Sequence, residues 1–231
     1  MGLFAEQGSN ENVPIRLIQA GVVALATAVL AGVVAVAVKI TMHKLAGKKV
    51  AILGAQQVGK TTLLLTLRDG KVPSRVSRTV DPARGGTFSL PVGDKKVDFE
   101  VPKDVPGNDD LAYSTWKEAL NGADYVWYLF RADLAALHDP GTNRMVQDHL
   151  DVIKDTVIGS RNKKTKVILI GTFADLSPTY FTNLAEFRKA VASIESIKIG
   201  LVRIKNAKLV VGSLLKDKEA TALIRTVRSH L

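Results

Sequence analysis

The sequence predicts an α/β protein: a mostly parallel sheet with one antiparallel hairpin strand, helices on both faces, and one N-terminal transmembrane helix. Three observations carry this expectation. Short apolar runs of strand character alternate with longer stretches of helical periodicity from residue 48 onward. Two short runs flank the turn sequence "PVGD". Leu17 to Val38 runs for 22 residues without a formal charge.

That apolar run comes first in the chain. As a helix it would be roughly 33 Å long, enough to cross a bilayer core. Gln19 and Thr27 are its only strongly polar side chains. A cleaved signal peptide fits less well. The run is long for one, and the leader 1–16 carries Glu6 and Glu11 against Arg16 rather than a basic cluster. Lys39, Lys44, Lys48 and Lys49 follow the run, so 39–47 reads as a basic juxtamembrane linker. The positive-inside rule then places the following domain, 48–231, in the cytosol.

Val50–Leu53 reads as a strand and Thr61–Leu67 as a helix stopped near Asp69-Gly70. Pro73, Pro82 and Gly85-Gly86 make 71–86 a loop. Thr87–Leu90 and Lys96–Val101 form the hairpin, and Leu111–Leu120 is helical. Tyr125–Phe130 is apolar throughout, as a strand buried on both faces requires. Asn143–Ile158 is a helix, Lys166–Ile170 a strand, Asn183–Ile197 a helix and Leu209–Val211 a strand. The last helix carries Leu223, Ile224, Val227 and Leu231 on one face.

The chain has 231 residues, room for one sizeable domain after the N-terminal run. It has no cysteine, which excludes disulfides and thiolate metal sites. The net charge of +10 suits phosphate ligands or anionic lipid. No basic stripe interleaved with aromatics is present, so nucleic acid is not an expected partner.

Gly54-Ala55-Gln56-Gln57-Val58-Gly59-Lys60-Thr61 matches G-x-x-x-x-G-K-[ST] in full. The glycines let backbone N–H groups turn toward a polyphosphate. Lys60 reaches the terminal phosphates, and the Thr61 hydroxyl suits Mg²⁺. Thr62 extends the set into the helix, whose N-terminus faces the same anions. Gln56 and Gln57 have side chains where many such loops have glycine.

Asp104-Val105-Pro106-Gly107 follows the hairpin, and Gly171-Thr172-Phe173-Ala174-Asp175 follows the strand at Lys166–Ile170. Gly212-Ser213-Leu214 follows the last strand. In this order, over about residues 48–231, the chain resembles the Ras-like small GTPases. With its N-terminal run it looks most like the membrane-anchored beta subunit of the signal recognition particle receptor, or the Arf-like branch. The resemblance implies GTP or GDP with Mg²⁺. It makes Asp104 a Mg²⁺ holder through water, and gives the Gly107 N–H to the γ-phosphate. It sets Thr172 and Asp175 in the [NT]-K-x-D guanine motif, with Phe173 in place of the Lys. Ser213 and Leu214 occupy the loop that meets guanine O6. The switch threonine that closes on Mg²⁺ is Thr79, 19 residues beyond Lys60, or alternatively Thr87.

Asn108 stands where the family often has a water-positioning Gln. An Asn is one methylene shorter, and an error of about 1 Å can cost on the order of 10²-fold in rate. Slow or partner-assisted hydrolysis is therefore expected. Arg78, and Arg75 beside it, could stabilise charge in cis. Three readings follow: a membrane-anchored GTP/GDP switch that recruits a protein effector, a permanently GTP-bound docking subunit, and a P-loop ATPase component.

Overall fold

A computed structural model of the chain describes residues 47–74, 87–92, 95–101, 109–159 and 165–231. The chain divides into a unit Met1–Lys44 and a unit Leu45–Leu231, and the described residues belong to the second. The span expected at 17–38 and the linker up to residue 46 lie outside them. Among the described residues no helix is long and apolar enough to cross a membrane.

The sheet has six strands: β1 (Lys48–Gly54), β2 (Thr87–Val92), β3 (Lys95–Glu100), β4 (Tyr125–Arg131), β5 (Lys166–Thr172) and β6 (Lys208–Val211). Their spatial order is β2-β3-β1-β4-β5-β6. β2 and β3 form the antiparallel hairpin, with Thr87 opposite Glu100 and Leu90 opposite Val97. All other neighbours are parallel. Thr87 is thus a strand residue paired within the hairpin.

β4 is central, and every residue from Tyr125 to Phe130 is buried. Side chains alternate across a strand, so a run apolar at every position needs cover on both faces. On one face Leu53, Val126, Tyr128, Phe130, Val167 and Leu169 join a single core with Trp116, Val146, Leu150 and Ile153. Those last four come from α2 (Asp109–Leu120) and α4 (Pro140–Gly159). On the other face Ile52, Trp127, Leu129, Ile168 and Ile170 are equally buried. Phe88 stacks on Phe99 at 5.3 Å and lies 5.6 Å from Trp127 there. α1 (Lys60–Asp69) and α8 (Asp217–Arg228) pack against each other and bury Leu63, Leu67, Leu223 and Val227.

The helices begin and end where local chemistry dictates. α1 stops at Gly70, whose φ of 72° lets its N–H reach the Thr66 carbonyl at 2.9 Å. α4 starts after Asp139, whose carboxylate accepts from the Thr142 N–H at 2.7 Å, with Pro140 at the first helical position. Two short helices not expected from the sequence, α3 (Ala132–Ala136) and α5 (Pro178–Thr182), follow β4 and β5. The helix expected over Asn183–Ile197 is two: α6 (Leu184–Ser193) and α7 (Glu195–Arg203). The backbone turns extended at Ile194 (φ −61°, ψ 130°), and Ile194 itself is buried. The redirected α7 brings Gly200 against Leu150 of α4, so closely that a Cβ there would lie 2.6 Å from the Leu150 Cδ1.

Candidate functional site

In a parallel sheet, groups placed just beyond the carboxyl ends of the strands converge on one edge. The Gly54–Thr61 loop leaves β1, Arg131 ends β4, the 172–175 segment leaves β5, and 212–214 leaves β6. These are the segments the motifs single out, with Arg131 added.

The β1 loop is shaped by three residues with positive φ: Gly54 (φ 143°), Gln57 (φ 60°) and Gly59 (φ 91°). Gly54 is forced to be glycine by its neighbour as well. A Cβ there would sit 2.3 Å from the Leu129 carbonyl oxygen. Gly59 caps α1 without a side-chain hydrogen bond, and its own carbonyl accepts from the Leu63 N–H at 2.8 Å. The first-turn N–H groups of α1 therefore precede its first internal bond, which is the arrangement that attracts anions.

Lys60 is 9% exposed and turned into the loop, where Nζ donates to the carbonyls of Gly54 at 2.8 Å and Ala55 at 2.6 Å. A buried ammonium needs acceptors or an anion, and the loop surrounds it. Gln57 is exposed, while Gln56, Thr61 and Thr62 are half-buried, and Ala55 and Val58 are buried.

The second motif is tied to the first. Thr172, fully buried, places its hydroxyl 2.8 Å from the Val58 carbonyl and 3.0 Å from that of Phe130. It shares its one proton between the phosphate-type loop and the end of β4. Next in the chain, Phe173 takes a left-handed conformation (φ 56°, ψ 25°). Asp175 lies half-buried in the 3₁₀ turn Ala174–Leu176 and carries no hydrogen bond among the described residues.

The third segment closes the set. The Gly212 N–H donates to the Gly171 carbonyl at 2.9 Å, and the Ala174 N–H to the Gly212 carbonyl at 3.2 Å. The hydroxyl of buried Ser213 accepts from the Leu215 N–H at 3.0 Å. Leu214 packs on the loop so that a Cβ at Gly59 would lie 3.1 Å from its Cδ1. Residues 54–62, 172–175 and 212–214 therefore form one connected edge.

Arg131 was not singled out by any motif. Its Nε donates to the Asp133 Oδ1 at 2.7 Å, and a second guanidinium nitrogen donates to Oδ2. Its Cζ lies 4.3 Å from the centre of the Phe173 ring. The Asp133 hydrogen bonds raise its pKa against the opposing effect of burial, and the charges of Asp133 and Asp175 add to the rise. The available signal was a charged R-A-D triplet ending an otherwise apolar strand, at the edge where ligands bind.

Asp104, Gly107, Asn108, Arg75, Arg78 and Thr79 lie outside the described residues. Of the expected Mg²⁺ ligands, Thr61 is within them. Among the described residues no three His, Asp or Glu side chains gather as a metal site. The chain matches no known protein-family profile and no curated protein.

Proposed function

We propose that the chain is a guanine-nucleotide-binding protein of the Ras-like type, acting as a GTP/GDP switch that recruits a cytosolic protein. The observation that carries this reading is the Thr172 hydroxyl at 2.8 Å from the Val58 carbonyl. It couples a loop suited to polyphosphate with a segment whose carboxylate suits the N1 and N2 hydrogens of guanine. Adenine offers no such pair of donors to Asp175.

The residues present fit the ligand. The loop holds a buried ammonium inside a ring of main-chain groups. Gly54 and Gly59 are glycines where a Cβ would collide or crowd. Lys60 would exchange its two carbonyl partners for phosphate oxygens, and Thr61 with Asp104 and Thr79 would hold Mg²⁺. Bound Mg²⁺ would neutralise charge on the phosphates during hydrolysis. The apolar run 17–38 supports anchoring in a bilayer, and Lys39, Lys44, Lys48 and Lys49 after it support a cytosolic nucleotide domain.

A second reading, a docking subunit that keeps GTP unhydrolysed, is favoured by Asn108 in place of a Gln. Identifying the nucleotide that co-purifies with the full-length chain, then following its turnover, separates the readings. GDP with measurable GTP turnover supports the switch, and GTP held without turnover supports the docking subunit. ATP in the site, or nucleotide retained by Lys60→Ala, contradicts both.

A further inference from the structure

Phe173 replaces the lysine whose aliphatic stem covers the base in the resembled family, and one face of its ring is already occupied. The Arg131 guanidinium lies over it at 4.3 Å. Arg131 is not a loosely held surface arginine. Its side chain is 27% exposed, and it is gripped through two hydrogen bonds by Asp133, whose side chain is 8% exposed. A bidentate guanidinium–carboxylate pair fixes the orientation of the guanidinium plane as well as its position.

The ring it holds belongs to a residue in a backbone conformation that side chains rarely adopt. Such conformations persist where the surroundings over-determine them, and they cluster at ligand sites. Phe173 is half-buried, stands in sequence between Thr172, bonded to the β1 loop, and Asp175, and has Arg131 over one face of its ring.

We propose that Asp133, Arg131 and Phe173 form a stacking platform in which Arg131 backs one face of the ring and the purine base lies on the other. Arg131 is then a positioning residue for the nucleobase. It acts through Phe173 and holds the ring before the ligand arrives, so binding loses less rotational freedom. Stacking is indifferent to base identity, because every base has a π-face. The platform therefore sets affinity for the base, while Asp175 sets guanine preference. This rests on the nucleotide reading above and adds a role that the motifs do not assign.

The test compares GDP with inorganic pyrophosphate, which presents phosphates without a base, on the full-length chain. Arg131→Ala is expected to weaken GDP binding about 5- to 30-fold. Pyrophosphate binding should stay within about twofold, and the preference for GDP over ADP should persist. Phe173→Ala should weaken GDP binding at least as much, and the double variant should be no weaker than Phe173→Ala alone, since Arg131 acts through the ring. If Arg131→Ala does not fold, Arg131→Met keeps the side-chain bulk and carries the same expectation. GDP affinity unchanged in the Arg131 variant, or pyrophosphate affinity falling in parallel, would overturn the platform and leave the nucleotide reading standing. A wild-type chain that binds no GDP removes both.

Discussion

At the scale of single residues, the candidate site rests on groups whose replacement is costly. Gly54 pairs with Leu129 in the sheet, and a Cβ would be 2.3 Å from the Leu129 carbonyl oxygen. Backbone must move to admit it. Gly54→Ala is expected to destabilise the chain by about 3 kcal/mol, read as a lowered urea midpoint. A midpoint shift near zero would mean that the loop relaxes freely. Thr172→Val keeps the volume and removes the shared proton, leaving the Val58 and Phe130 carbonyls without that donor. It is expected to cost about 1–3 kcal/mol in stability. It should also weaken nucleotide binding, since the β1 loop would lose its tether to the 172–175 segment. The sequence placed the loop, Thr172, Asp175 and Ser213 just after strands, and they lie there, because the signal for each is local: a glycine, a hydroxyl or a carboxylate following an apolar run. Arg131 was not legible, because its contact with Phe173, 42 positions further along the chain, arises only through the parallel pairing of β4 with β5.

At the scale of elements, the sequence located the strands and most helices, because apolar period and stop signals coincide there. Asp69-Gly70 ends α1 where expected. The division between α6 and α7 was hidden for a physical reason. Phe187, Val191, Ile194 and Ile197 are all buried at spacings a single helix would also satisfy. The change of direction at Ile194 instead accompanies a tertiary contact, the close approach of Gly200 to Leu150, which the periodicity does not carry. The start of α4 permits a test by pH. Hydrogen bonding from Thr142, from its side chain first and then its backbone N–H, holds the Asp139 carboxyl below its ordinary pKa against the opposing effect of burial. A group with a depressed folded pKa stabilises fully above its unfolded value, near about 4, and loses that contribution as pH falls through the folded value. Asp139→Asn keeps an acceptor at the cap but does not titrate. Below about pH 4 the wild type should lose stability more steeply than Asp139→Asn, with parallel behaviour above about pH 5. Identical acid limbs in thermal denaturation would contradict the cap.

For the molecule as a whole, the carboxyl edge of this sheet is proposed to bind guanine nucleotide in preference to adenine nucleotide. Ligand that binds only the folded state stabilises it by mass action, by about 2.7 kcal/mol at a hundred times Kd. For a domain of this size that corresponds to roughly 5–10 °C in Tm. The most direct measurement is the Tm of the full-length chain with Mg²⁺ and GDP, GTP or ATP, beside Lys60→Ala. The expected result is a rise of that order with GDP and GTP, little with ATP, and none for the variant. No rise with any guanine nucleotide, or an equal rise with ATP, would exclude guanine-selective binding at this edge.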